Sequence, residues 1–213
     1  MKKFNIIAAY LKKTRGIGYK DTLPWPKLKA DMAHFRNLTQ TTTMENSVNS
    51  VIMGRSTFES MGKRCLKNRL NIVLTRSKID NGSSNIDAPV FVNSLAEALS
   101  ITNMFDKMVD QRFVIGGEDL YTQAITSEWC DKLYLTEIDL VEDIECDRFF
   151  PPIPRNFKQV ESKQNNRLTF QEYVNVSDPN SQENQYLDLM RQILENGERV
   201  MDRSRVGTRS LFS

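Results

Sequence analysis

Short apolar runs separated by amphipathic or polar stretches predict strands alternating with helices along most of this chain. Phe4–Tyr10, Ser50–Met53, Leu70–Leu74, Val90–Val92, Arg112–Ile115 and Lys132–Ile138 read as strands. The first is apolar almost throughout, as expected for a strand buried on both faces. Between the first two strands, Leu28, Met32, Phe35 and Leu38 recur at three- and four-residue spacing, which predicts a helix with one buried stripe. Pro24 and Pro26 hold its approach extended, and the helix is expected to begin at Pro26 or Lys27. A second, short helix is expected to run through Met61. Ser94-Leu95-Ala96-Glu97 is a capping box that opens a third, and a fourth spans Glu118 to about Ile125. Residues 11–22, Thr39 to Ser50, Asn81–Ala88 and the acidic stretch Val141–Asp147 read as loops and turns. Phe149-Phe150-Pro151-Pro152 forms an apolar plug, and Val160–Gln164 with Arg167–Val176 reads as a hairpin turning at Asn165-Asn166. The fold class is therefore α/β, a mixed and mostly parallel central sheet with flanking helices and an antiparallel C-terminal hairpin.

The pattern changes at Ser177-Asp178-Pro179-Asn180-Ser181-Gln182, a linker signature. After it, Tyr186, Leu187, Met190, Ile193 and Leu194 fall at helical spacing and Asn196-Gly197 offers a C-cap. This divides the chain into residues 1–176, a linker at 177–182, and a segment at 183–213.

Composition narrows the function. A chain of 213 residues, 39% hydrophobic and 26% charged, suits one soluble domain and a short appendage. A net charge of +2 gives no argument for nucleic acid or a membrane surface, and no apolar run approaches 18 residues. Three cysteines, odd in number and without paired spacing, suit a reducing compartment, so the cytoplasm is expected. A single histidine, His34, rules out a His-rich metal site and a Ser-His-Asp triad; it is expected to be partly exposed.

Asp31 stands out because it lies three residues after Leu28 and four before Phe35, on the apolar stripe. A buried carboxylate is costly without a partner, so it either binds something, moves a proton, or is satisfied by a neighbouring loop. Three strand ends lead into small or basic residues: Gly54-Arg55-Ser56-Thr57, Leu74-Thr75-Arg76-Ser77 and Gly116-Gly117. Each alone is most simply a turn, but together they suit a dinucleotide with an additional phosphate. Neither the GxGxxG nor the GxxxxGK[ST] fingerprint occurs.

These residues resemble the dihydrofolate reductase family over residues 3–176. Its motifs stand in order as Ile6-Ile7-Ala8-Ala9, Gly16-Ile17-Gly18, Leu23-Pro24-Trp25-Pro26, Asp31 with Phe35, and Met53 through Phe58. Arg69 through Arg76, Ile115-Gly116-Gly117, Tyr121, Thr136 and Phe149-Phe150-Pro151 follow. The resemblance implies hydride transfer from NADPH to dihydrofolate, with antifolates as inhibitors. It implies that Asp31 holds the pterin ring with support from Thr136, and that Trp25 and Leu23 order a water and close the active-site loop. Ile6, Ile7, Met32, Phe35, Met61, Leu66 and Ile115 would line the substrate pocket, and Arg69 would clamp the glutamate carboxylate. Ala8, Ile17 and Gly18 would touch the nicotinamide half. Gly54, Arg55, Ser56, Thr57, Leu74, Thr75, Arg76, Ser77, Gly116, Gly117, Glu118, Asp119, Leu120 and Tyr121 would hold the phosphates and adenosine. Cys65 in place of a usual proline, Met32, and a shortened loop at Gly62-Lys63-Arg64 depart from the pattern.

Residues 183–213 resemble the start of thymidylate synthase, with Asp202–Thr208 matching its phosphate loop and Arg203 its phosphate-gripping arginine. Association with a synthase is thus expected. No cysteine follows Cys146, so synthase chemistry is not expected of this chain. Two alternatives to the reductase reading exist. A non-catalytic folate- or nucleotide-binding subunit is opposed by the joint presence of Asp31, Trp25 and Arg69. A reductase of riboflavin synthesis is disfavoured by Leu-Pro-Trp-Pro standing together with Asp31 and Arg69.

Overall fold

In the computed structural model, which describes residues 2–76, 88–177, 198–201 and 207–210, one eight-stranded sheet carries the first part of the chain. Its strands are β1 (Phe4–Leu11), β3 (Val48–Gly54), β4 (Arg69–Leu74), β5 (Val90–Val92), β6 (Val109–Val114), β7 (Cys130–Ile138), β9 (Phe157–Asn165) and β10 (Leu168–Asn175). They lie in the order β5-β4-β3-β6-β1-β7-β10-β9. Pairing is parallel from β5 across to β7, and β10 joins β7 antiparallel. The mixed, mostly parallel sheet expected from the pattern is present. Its four helices are α1 (Lys29–Gln40), α2 (Arg55–Ser60), α3 (Leu95–Met104) and α4 (Glu118–Ile125).

Alternation along β1 builds a core on both sides of the sheet. Phe4, Ile6, Ala8 and Tyr10 face a cluster with Leu95 and Leu99 of α3 and Leu120 of α4. Ile7 faces the other way, with Val51, Met53, Phe113 and, from the helices, Phe35, Leu38 and Phe58. Ser94 caps α3 as expected, its side chain accepting from the Glu97 N–H at 3.1 Å.

Several boundaries move. The backbone stays extended through Leu28 (φ −93°, ψ 109°), so α1 starts at Lys29, later than Pro26 or Lys27. β3 starts at Val48, β6 at Val109 and β7 at Cys130, earlier than their apolar runs suggest. Polar residues are admitted there because they are partnered. Asn49, fully buried, donates to the carbonyls of Thr39 (3.2 Å) and Thr41 (2.9 Å) and accepts from the Gln111 N–H at 3.0 Å. Within residues 11–22, β2 (Gly16–Gly18) pairs antiparallel with β8 (Arg148–Phe149), a contact too short and glycine-rich to show a period. Gly16 is required there, since a Cβ would run into the Cys146 sulfur. In the plug, Phe150 is buried and Phe149 exposed. β9 begins at Phe157, and only that residue of it is buried, as suits an edge strand.

The chain divides into two compact units, Met1–Val174 and Asn175–Ser213. In the second, Glu198–Met201 (β11) pairs antiparallel with Gly207–Ser210 (β12). Gly207 and Thr208 are therefore strand residues and not part of a loop. The turn at 81–87, Ser77, most of the linker, the helix at 183–196 and Arg203 lie outside the described residues.

Asn49 ties the C-terminal end of α1 to two strands, so its loss should reach the whole first unit. Asn49→Ala leaves the Gln111 N–H and two carbonyls without their partner, and unsatisfied buried groups cost about 1–3 kcal/mol each. Urea unfolding should show a loss of about 3 kcal/mol or more; a midpoint within error of the parent would show that water replaces the amide.

Candidate active site

A cavity of about 790 Å³ opens where β1, β3, β4 and β6 end, within the usual size range for small-molecule sites. This is the carboxyl end of a parallel sheet, where α/β proteins bind ligands. The apolar stripe of α1 faces it, which explains an otherwise odd burial pattern. Leu28, Phe35 and Leu38 are only half-buried and Met32 is 41% exposed. Of the expected stripe, Met32 and Phe35 line the cavity, while Leu28 and Leu38 pack against the core.

Asp31 points from the first turn of α1 into this cavity. The hydroxyl of Thr136, on β7, donates to it. Thr136 is itself buried and sits in register between Ala9 of β1 and Phe170 of β10. Burial pushes the Asp31 carboxyl above its ordinary value, and the Thr136 hydrogen bond and the His34 charge pull it partly back. The Asp31 carboxylate is thus left mainly undercompensated by its immediate neighbours. Trp25 is buried, packed with Leu11, Ile138 and Leu168, while Leu23 stays 54% exposed at the rim.

The other end of the cavity is built from two glycine segments. The Gly54 N–H donates to the Gly116 carbonyl at 2.7 Å, joining the ends of β3 and β6. Gly116 adopts φ +112°, where side chains are disfavoured, and a Cβ there would lie 3.1 Å from the Tyr121 ring. A Cβ on Gly117 would lie 3.3 Å from Thr57 Oγ1. The Tyr121 hydroxyl is buried and donates to the Ile7 carbonyl at 2.9 Å, so this residue braces β1 from α4. Arg55, Ser56, Thr57, Thr75 and Arg76 bring two guanidinium groups and three hydroxyls to the same wall. Arg55 Nε is held by Glu59 Oε1 at 2.9 Å.

Most residues expected at the site line the cavity, and two do not. Ile6 does not: strand alternation turns it into the opposite core, fully buried, and its neighbour Ile7 takes the wall. Arg69 is not on the wall either; its Nη1 donates to Thr39 Oγ1 at 2.7 Å and its Nε to the Lys67 carbonyl at 3.1 Å. Ser77 lies outside the described residues. Conversely, Ala9, His34, Asn93, Ser94, Gln123 and Arg148 line the cavity without having been anticipated. His34 was readable, since it follows Asp31 by three residues on a helix. Asn93, Ser94, Gln123 and Arg148 arrive only through tertiary contacts.

The family profile of dihydrofolate reductase matches residues 3–176. This chain belongs to the dihydrofolate reductase family. A dihydrofolate reductase of Heliothis virescens is 38% identical over 76% of this chain and 86% of its own length. A bifunctional dihydrofolate reductase-thymidylate synthase of Daucus carota is 34% identical over 92% of this chain and 45% of its own. One of Paramecium tetraurelia is 32% identical over 92% and 42%. The chain thus spans less than half of these bifunctional relatives. The reductase domain occupies residues 3–176, and its sheet and cavity belong to that domain. Among the described residues, no helix is long and apolar enough to cross a membrane.

An undercompensated carboxylate in a reductase-family cavity should cost the fold something. Because the folded-state pKa of Asp31 is raised above the ordinary 3.8, its contribution to stability is complete below that value and is lost as pH rises through the folded pKa. Asp31→Asn should therefore be more stable than the parent at pH 7, with the gain fading toward about pH 4. Urea midpoints at the two pH values check this, and a gain equal at both would show that Asp31 is not the source.

Proposed function

We propose that residues 3–176 reduce 7,8-dihydrofolate to 5,6,7,8-tetrahydrofolate, with NADPH as the hydride donor. The observation that carries this reading is the half-buried carboxylate of Asp31, held by Thr136 on the wall of a cavity whose far end is a glycine and guanidinium cradle. The family's name and the intact set Asp31, Trp25 and Arg69 support an active enzyme over a binding subunit.

The chain's own groups divide the work. Ionised Asp31 accepts from the pterin amino group and ring nitrogen, which fixes the ring's face and favours its protonated, electrophilic form. Thr136 holds the carboxylate in place. Ile7, Met32, Phe35, Met61, Leu66 and Ile115 exclude water around the ring. Trp25 and Leu23 order the water that brings the proton and close the loop over it. Arg69 receives the substrate's glutamate carboxylate: Arg36 beside it, together with burial, lowers its pKa, so an anion there relieves repulsion. The wall near Gly116 and Gly117 fits a dinucleotide because backbone can approach closely where a Cβ would not fit. Ala8, Ile17 and Gly18 would lie along its nicotinamide half, and Arg55, Ser56, Thr57, Thr75, Arg76 and the segment Gly116–Tyr121 would hold its phosphates and adenosine. NADPH supplies the hydride. We place the protein in the cytoplasm, on its odd and sparse cysteines.

The direct test is loss of absorbance at the NADPH band on adding dihydrofolate. Asp31→Asn should keep cofactor binding and lose about 10²–10³ in turnover at neutral pH, with the deficit shrinking in acid. Near-normal turnover at pH 7 would sink the assignment. Cofactor choice is tested separately. Arg76→Ala should weaken NADPH about 10- to 100-fold, one charge-assisted contact being worth about 1.5–3 kcal/mol, and barely change NADH. Equal weakening of both would make Arg76 structural.

We also propose that residues 183–213 begin a thymidylate synthase domain. Support comes from the bifunctional relatives of Daucus carota and Paramecium tetraurelia, which align over 92% of the chain, whereas the Heliothis virescens reductase aligns over 76%. A chain ending at Val176 should keep its reductase activity. Loss of activity in a still-folded truncation would make the tail part of the reductase site.

A further inference from the structure

His34 lies on the cavity wall one helical turn beyond Asp31, a spacing at which side chains on a helix are neighbours. Its ring packs on Phe170, with centroids 4.4 Å apart and planes tilted 45°. Phe170 is paired in register with Thr136, the residue whose hydroxyl donates to Asp31. The imidazole, the carboxylate and the threonine are therefore tied into one corner by three elements, α1, β7 and β10. No role in the proposed reaction has been given to His34.

The charged groups facing it are few. Asp31 comes from its own helix, and Glu161 and Lys163 come from β9. Phe170 of β10 and Thr136 of β7 contribute no charge. Burial disfavours the imidazolium, Asp31 and Glu161 favour it, and Lys163 opposes it. The balance places its titration below the ordinary histidine value, on the acid side of neutrality.

We propose that His34 is a charge gate on the Asp31 corner: protonated, it opposes any cationic ring seated on the carboxylate, and neutral, it admits one. This rests on the reading that Asp31 receives the pterin. Ionised Asp31 carries one negative charge for a partner's positive charge to balance. An imidazolium beside it already supplies that charge, so a ring that arrives protonated must either displace the proton of His34 or accept its repulsion. A neutral ring donating hydrogen bonds to the same carboxylate meets no such conflict. His34 is thus a positioning residue for charge, not a group that touches the reacting atoms.

Two measurements test this. Because His34 is the only histidine, its ring resonances titrate without ambiguity in the full chain. In ligand-free protein, Asp31→Asn should lower the His34 midpoint by about half a pH unit or more, the size expected for a lost charge one turn away. Binding is then followed by fluorescence at a series of pH values with two probes, folate for a neutral ring and a 2,4-diaminopyrimidine for a protonated one. Below the His34 midpoint, affinity for the diaminopyrimidine should fall faster in the parent than in H34Q, the gap growing by up to about tenfold per pH unit. Folate affinity should show no such gap. H34F keeps a ring against Phe170 without a charge, and it should behave as H34Q does. An unchanged midpoint in Asp31→Asn, or parallel pH profiles for the cationic probe in parent and H34Q, would overturn the gate. So would H34F following the parent, which would assign the effect to ring packing. Failure of both probes to bind the parent at any pH would instead overturn the reading of the Asp31 corner, and the gate with it.

Discussion

The arrangement depends on one unfavourable act, the withdrawal of the Asp31 carboxylate from water with one hydroxyl to receive it. Burial raises its pKa, and the Thr136 hydrogen bond recovers only part of the loss. A free side chain would escape such a position by rotating into solvent. It stays because the surroundings are over-determined: Thr136 is locked between two strands, and the helix carrying Asp31 is pinned at its far end by Asn49. At the other end the backbone stays extended through Leu28, so the first turn of α1 is the one that holds Asp31. Charge placed in advance where a reaction develops charge is the arrangement that needs no reorganisation during the reaction.

Much of this was legible in the residues, for a definite reason. Strands buried on both faces leave apolar runs, which mark β1 and most of β4, and alternation marks β7. Where a strand begins with polar residues, as at Asn49 or Asp110-Gln111, the pattern breaks although the ladder does not. The partners of those residues are distant in sequence, and no local window contains them. The β2–β8 contact was invisible for the same reason, since neither partner is long enough to carry a period. Ile6 shows a different limit. A run apolar at every position marks a strand without saying which alternate residues face which side, and Ile7 took the cavity.

The cofactor end repeats the logic with backbone in place of side chains. Gly54, Gly116 and Gly117 sit at the ends of adjacent parallel strands, joined by a 2.7 Å hydrogen bond. Larger residues at Gly116 or Gly117 would press on Tyr121 or Thr57, both of which the wall uses. Tyr121 in turn donates to the carbonyl of Ile7, on the strand that forms the floor between the two ends of the cavity. The glycines were visible in the sequence as possible turns. Their meeting became visible only when the strand order placed β3 beside β6.

The stripe on α1 carries the more general point. An apolar helix face interrupted by one acid is ambiguous between a core face with a flaw and a cavity wall with a purpose. Burial decides between them. A core face would bury Leu28, Met32, Phe35 and Leu38 together, whereas here none of the four is fully buried and Met32 is 41% exposed. Leaving that much apolar surface uncovered forgoes about 25 cal/mol for each square ångström that packing would have hidden. The fold forgoes it on the helix face where it also tolerates a buried charge. Two independent departures from the most stable arrangement, coinciding on one helix turn, locate a binding site more securely than either alone.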